Sequence, residues 1–429
     1  MNRVAFYLEN RTIASVDCSG ILSGNPGIGG TQYMITVVSY LLSVRDNGLT
    51  VKTFVQSEAR FPEGFRYSLV NDFSDAVRRA EEEGFECLVF RHDADLITGG
   101  VLDSIKTDIK LVVWDHVFAC YWEHDYYARK SSIYKVINVG REMNDLYMDH
   151  QIFRKSAYIY NCLNFHGIRE IVRKREYSSR KNIVVYVGCL MPYKGFHLLA
   201  EAWPRILAEV PDAELYVIGS GKLYDRTSKY GSYGLADAEY ETEFMRYLSR
   251  DGEILPSVHF MGDMGLEKND ILIQAKVGVP NPSGVTETFC LSAVEMQMFG
   301  AKIATIDAPG FLDTVKNGLL YKNAADLADT VVRLLNTNNN DAYEAAMDFF
   351  EENFSQEAVV SVWEKFFNTG NTGSENEPVR NKAYRLKWLK LLRRKLSSVL
   401  PFLYLLPPTE RMLIYFERKF LRKTTYMDS

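Results

Sequence analysis

Glu287 and Glu295 stand eight residues apart in a stretch, 279–300, that joins a Pro/Asn/Ser/Gly loop to a run of apolar residues at helical spacing. On one helix that separation is about 12 Å along the axis, too far for two carboxylates to work on a single bond. It suits two contacts on one elongated ligand. Between them Thr288, Phe289, Cys290 and Leu291 supply the amides of a helix start, where free N–H groups and the positive dipole end hold a phosphate. The plainer reading is two glutamates bracketing a core helix, the first favoured by the N-terminal charge.

Lys194 is the second residue placed for chemistry. A strand over 182–187 runs into Gly188-Cys189-Leu190-Met191-Pro192-Tyr193-Lys194-Gly195 and then a helix. A lysine at a helix N-terminus opposes the dipole, so the position calls for an anionic partner. Two other turns bring backbone close to a ligand in the same way. One is Gly219-Ser220-Gly221 after the strand 213–219; the other is Gly27-Ile28-Gly29-Gly30 between a first strand, 3–8, and a helix. Strands 87–91 and 110–114 lead into His92 and His116, each placed as a ligand contact or an ordinary loop residue.

The stretch Glu287-Thr-Phe-Cys-Leu-Ser-Ala-Val-Glu295 resembles the E-x7-E signature of retaining GT-B glycosyltransferases of family 4, usually written E-x-F-G-x-x-x-x-E. The resemblance covers 3–367 loosely and 182–321 with specific motifs. It implies a nucleotide sugar, a UDP-hexose, as substrate, with no cofactor and no metal. Glu287 would lie near the donor sugar and Glu295 would hold the ribose. Lys194, with Gly188 and Gly195, would meet the diphosphate. Gly29 and Gly30 would face the donor, His116 the reacting sugar, and Phe260 at the end of a V-x-F-x-G strand the base. This chain departs from the pattern twice: Cys290 replaces a glycine, and Cys189 replaces the arginine that normally shares the diphosphate with the lysine. The second loss removes a preorganised cation facing the leaving group, an effect of a few kcal/mol, about 3.

Strand–helix alternation along the chain implies α/β domains with mostly parallel sheets. The expected architecture is GT-B, two Rossmann-like domains facing a cleft: 1–167, a linker at 168–181, and 182–352 as the nucleotide-sugar domain. A helix over 353–367 would return to the first domain, a second linker would span 368–381, and a tail would occupy 382–429. The aromatic segment 118–127 reads as a loop suited to sugar rings, a lipid acceptor or core packing.

Net charge is −5, but 380–429 carries +10 and the preceding 379 residues −15. Tyr384, Trp388, Leu389, Leu392 and Leu396 form a helical stripe flanked by Arg385, Lys387, Lys390, Arg393, Arg394 and Lys395. Such a basic, aromatic-rich segment fits an anionic membrane surface or a partner protein. Nothing resembles a nucleic-acid module. Six scattered cysteines and no signal-peptide pattern point to a cytoplasmic protein, peripheral at the inner face of the membrane. A membrane-held tail points to a lipid-linked saccharide as acceptor, in polysaccharide or glycolipid assembly. The alternative is a degenerate GT-B subunit that binds nucleotide or a partner transferase without turnover. A dinucleotide enzyme is disfavoured by the absence of a proper G-x-G-x-x-G with an acidic residue downstream.

Overall fold

Short β-branched and aromatic runs such as RVAFYL, CLVFR and IVVYV are buried along nearly their whole length, which marks strands covered on both faces. They assemble into two parallel sheets in the computed structural model, which describes residues 1–221, 229–373, 377–397, 399–400, 402–403 and 406–421. The chain divides into two units, one comprising 1–21, 31–162 and 356–429, the other 22–30 and 163–355.

In the first unit seven strands run β3-β2-β1-β4-β5-β6-β7. They are β1 (Arg3–Leu8), β2 (Thr50–Val55), β3 (Tyr67–Leu69), β4 (Cys87–Arg91), β5 (Lys110–Asp115), β6 (Ile133–Asn138) and β7 (Ser156–Tyr158). The helix Gln356–Thr369 belongs to this unit and buries Trp363 against Trp114 and Phe6, with ring centroids 4.8 and 6.2 Å apart. The aromatic segment at 118–127, expected as a loop, is largely helix, Tyr121–Arg129.

The second unit opens with β8 (Ile183–Val187) and β9 (Glu214–Ile218), followed by a two-residue ribbon, β10 (Ser249–Arg250) and β11 (Glu253–Ile254). It continues with β12 (Val258–Gly262), β13 (Val277–Gly278), β14 (Lys302–Ile306) and β15 (Gly318–Tyr321). The six-stranded order is β12-β9-β8-β13-β14-β15. Its core gathers Trp203, Phe196, Tyr186 and Phe244, none more than 2% exposed. Residues 168–181, expected as a linker, form part of this unit instead. The helix Ile168–Arg173 buries Val172, and Arg180 donates to the carbonyls of Ala275 (2.8 Å) and Phe299 (2.7 Å). A polar composition concealed a guanidinium that satisfies buried backbone acceptors. The surface insertion expected at 224–238 lies partly outside the described residues.

In the C-terminal extension the helix Lys387–Ser397 turns two of its lysines inward and part of its apolar stripe outward. Lys387 and Lys390 are completely buried, while Trp388, Leu392 and Leu396 are 52%, 47% and 44% exposed. Lys387 pairs with Glu142 and with Asp145 (3.3 Å); Lys390 pairs with Glu410 and donates to the Leu146 carbonyl (3.1 Å). Arg385 joins Glu410 and Glu417, and Asp149 receives Thr409 N at 2.9 Å. A basic stripe beside an apolar stripe on a helix is symmetric with respect to which faces inward. Here buried acids decide it: Glu142 and Asp145 of the helix Arg141–Leu146 supply the counter-charge for Lys387, and Glu410 of the helix Thr409–Phe416 supplies it for Lys390. Residues 377–381 are likewise held, through Glu377 on Arg141 (2.6 Å) and Asn381 on Glu142 (2.8 Å), rather than acting as a loose linker. Among the described residues no helix is long and apolar enough to cross a membrane.

Candidate active site

Chain connectivity reverses direction at β8, which lies between β9 on one side and β13 on the other. Ligands of parallel sheets sit outside the carboxyl ends of strands at such a switch point. The Lys194 turn follows β8, the Glu287 loop follows β13, and Gly219 follows β9, so the three segments converge there by topology.

Their contact is close enough to dictate glycine. Gly219 has φ +127°, and a Cβ on it would fall 2.1 Å from the Gly188 carbonyl oxygen, so the turns after β8 and β9 touch backbone to backbone. Gly195 has φ +68° and caps the 3-10 turn Pro192–Lys194; a Cβ there would lie 2.6 Å from Ser283 N. Ser283 Oγ sits 2.6 Å from Tyr193 O and 2.7 Å from Asn281 Oδ1, stitching the two loops. Lys194 Nζ reaches Glu287 Oε2 at 3.2 Å, and Asn281 Nδ2 donates to the same oxygen at 2.8 Å. Glu287 is buried, while Lys194 keeps 21% of its side chain exposed. The loop carries backbone strain ahead of this carboxylate, at Asn281 (φ +35°) and at the β-branched Thr286 (φ +58°). Such conformers cost about 1–3 kcal/mol each and persist where surrounding structure fixes them, which is common at functional sites.

Glu287 is not on the helix. The helix is Leu291–Met298, and Glu287 lies four residues upstream on the loop, with Gly310 N donating to its carbonyl oxygen at 3.0 Å. Thr288 and Phe289 therefore precede the helix and Cys290 caps it, so the helix does not start near Thr288 as the apolar pattern indicated. Phe289 packs edge-on against Phe354 with centroids 4.9 Å apart, a core role. Cys290 is buried and its thiol is pushed well up by burial, so it stays a neutral sulfhydryl. Glu295 pairs with Lys268 at 3.3 Å, both largely buried. Phe260 packs between Phe196 (6.0 Å) and Phe244 (6.2 Å), which makes it a core residue. Gly29 and Gly30 belong to this unit, and a Cβ on Gly30 would rest 3.4 Å from Leu291 Cδ1 at the helix start. Cys189 is 3% exposed; its carbonyl accepts from the buried Tyr186 hydroxyl at 3.0 Å.

His116 lies in the first unit, its ring 4.8 Å from that of Trp114. Burial, aided by the Arg91 charge, lowers its pKa to about 3, so the imidazole is neutral at pH 7. His92 is an internal hub, bonded through Nδ1 to Tyr127 OH at 2.8 Å and facing Glu123 at 3.5 Å.

Asn281, Ser283, Lys268 and Gly310 went unsingled in the sequence. Asn281 and Ser283 were legible only as loop formers, and Lys268 sits in a polar run, GLEKND, with no signal that its ammonium is buried.

Residues 181–337 match the family model described as glycosyl transferases group 1, a span that contains Lys194, Glu287 and Glu295. An uncharacterized glycosyltransferase of Haemophilus influenzae is 20% identical over 311 residues, covering 69% of this chain and 81% of that protein. Anabaena HepE in complex with UDP-glucose superposes with a TM-score of 0.59 at 14% identity, over 86% of this chain and 99% of that one. A glycosyltransferase from Rickettsia africae gives 0.60 at 15% identity, over 85% and 97%. The architecture is therefore GT-B, and residues 181–337 of the second unit are similar to group 1 glycosyl transferases.

Proposed function

We propose that this glycosyltransferase moves a hexose from a UDP-linked donor to an acceptor hydroxyl with retention at the anomeric carbon. The observation that carries the reading is the Lys194–Glu287 contact at the switch point, part-exposed and preceded by strained loop residues. In the step, the bond from C1 to the diphosphate oxygen breaks and a bond from C1 to the acceptor oxygen forms on the same face. The departing phosphate oxygen takes the acceptor's proton, so no protein base is required. Lys194 moves from Glu287 onto the diphosphate as charge develops, a preorganised interaction strongest in the transition state. Glu287, steadied by Asn281, accepts from the sugar hydroxyls. Glu295, on the helix Leu291–Met298 and paired with Lys268, is assigned to the ribose. The diphosphate charge is carried by Lys194 and loop amides without a metal ion, and chelator should leave the rate unchanged. The neutral ring of His116 serves by hydrogen bonding, not by proton transfer.

The acceptor is proposed to be a lipid-linked saccharide at the inner face of a membrane, in polysaccharide or glycolipid assembly. Support comes from the outward apolar face of Trp388, Leu392, Leu396 and Phe416, with Arg394, Lys395, Arg411 and Lys419 also exposed around it. Buried pairing removes Lys387 and Lys390 from that surface, so seating relies on apolar insertion more than on charge.

Mass spectrometry across a panel of nucleotide sugars tests the transfer, with Lys194→Ala and Glu287→Ala as controls. Both variants should lose turnover; full activity in both would sink the assignment. Donor binding by the unaltered protein with neither transfer nor hydrolysis would instead favour a non-catalytic subunit, for which Cys189 in the arginine position is the motivating feature.

A further inference from the structure

A cavity of about 240 Å³ opens in the first unit where the C-terminal extension meets β6 and β7. It is small beside the roughly 300–1,000 Å³ of ordinary ligand pockets, and charged rather than apolar. Four cations line it, Lys135, Arg141, Arg154 and Arg394, against two carboxylates, Asp145 and Glu377. Both carboxylates already hold counter-charges. Glu377 takes Arg141 at 2.6 Å, and Asp145 takes the buried Lys387 at 3.3 Å. The local balance is thus positive. Ser156 contributes a second, independent sign. Its hydroxyl is buried, lines the cavity and has no hydrogen-bond partner among the described residues. A native structure seldom leaves such a group unsatisfied unless something binds there.

We propose that this cavity binds a phosphate group, from an anionic lipid headgroup or from a soluble phosphate ester. Three acceptor oxygens and up to two negative charges match the guanidinium groups and the orphaned hydroxyl. The volume admits a phosphate with a small alcohol attached, not a sugar nucleotide. Arg394 ties the site to the membrane reading, because it sits on the helix that turns Trp388 and Leu392 outward. The lipid source rests on that reading; the phosphate chemistry does not.

The test has two arms on the full chain. Calorimetric titration with inorganic phosphate and with glycerol 3-phosphate should show saturable binding. Ser156→Ala and Arg154→Glu should each weaken it about tenfold, the loss of one charge-assisted hydrogen bond. Lys382→Glu, exposed elsewhere on the extension, serves as the charge control and should not change it. In the second arm, flotation with phosphatidylglycerol vesicles is compared with phosphatidylcholine. Competition by glycerol 3-phosphate, together with weakening by Ser156→Ala, identifies a lipid headgroup. Saturable titration with flotation indifferent to Ser156→Ala identifies a soluble ester. If flotation fails while titration succeeds, the membrane seating falls and the phosphate site stands. Absence of saturable binding to either phosphate compound, or binding unchanged in both Ser156→Ala and Arg154→Glu, overturns the proposal.

Discussion

Lys194 meets Glu287 at 3.2 Å with a fifth of its side chain still accessible, whereas Lys387 and Lys390 meet their carboxylates with no exposure at all. The chemistry of the contacts is the same and the setting opposite. A part-exposed pair at the ends of strands can exchange one partner for an incoming anion at little desolvation cost. A sealed pair cannot, because removing either member strands a charge in low dielectric. The first contact is therefore suited to turnover. The second fixes which face of its helix turns inward.

The largest effect should come from breaking the sealed side. Lys390→Ala takes one cation from the fully buried Glu410, which Arg385 also holds, and should lower stability by about 3 kcal/mol, while Lys390→Met with Glu410→Leu should recover most of it. Urea denaturation measures both. A Lys390→Ala chain as stable as the parent would show that the pair is not sealed.

Breaking the open side should do the reverse. Lys194→Ala is expected to lower kcat by about 10²–10³-fold, equivalent to roughly 3–4 kcal/mol of transition-state stabilisation, with the melting temperature little altered. Steady-state kinetics with calorimetry separates the two outcomes. A large fall in melting temperature would make Lys194 a staple like Lys390.

Acidification sharpens the contrast within the first unit. Burial lowers the pKa of His116 and His124 to about 3 and of His150 to about 4, and raises that of Asp115 to about 6. Depressed histidines mean the unfolded chain binds more protons below pH 6.5, so each contributes stability at neutral pH that is lost as pH falls toward its folded value. Asp115 has the opposite sign, since its raised pKa stabilises the protonated folded form below about pH 6. Burial also lowers His92 and raises Glu123 and Asp145, so four histidines stand against three carboxyls and leave a net loss between about pH 6.5 and 4, with each fully titrating histidine contributing about 1.4 kcal/mol per pH unit. Denaturation midpoints should fall over that window, and His124→Gln should flatten the slope by about one proton.

The smallest effect belongs to the outward face. Trp388→Ser should change stability by less than about 0.5 kcal/mol while reducing vesicle binding. A substantial loss of stability would mean that the tryptophan packs more tightly than its 52% exposure indicates.

Much of this was legible beforehand. Alternation of strands and helices gave two α/β sheets, and the spacing of Gly188, Lys194 and Gly195 placed a cation after β8. Finer positions were not. The apolar pattern around Phe289 implied a helix reaching back to Thr288, because Phe289 is buried against Phe354 without being helical. Burial and helicity produce the same sign in a short window, and only hydrogen-bond geometry separates them. Phe260 reads as a base-stacking residue from its motif, and two aromatic rings from distant segments, Phe196 and Phe244, pack it against the core.

The sequence by itself determined the class of fold, the location of the lysine in the turn after β8 and the existence of an amphipathic basic extension. Those follow from periodicity, glycine placement and local charge, which act over a few residues. Tertiary structure alone decided that Asn281 steadies Glu287, that Lys268 holds Glu295, and that two lysines of the extension are buried while its tryptophan is not. Each of those depends on which distant carboxylate or carbonyl comes within about 3 Å, a distance that chain spacing does not encode.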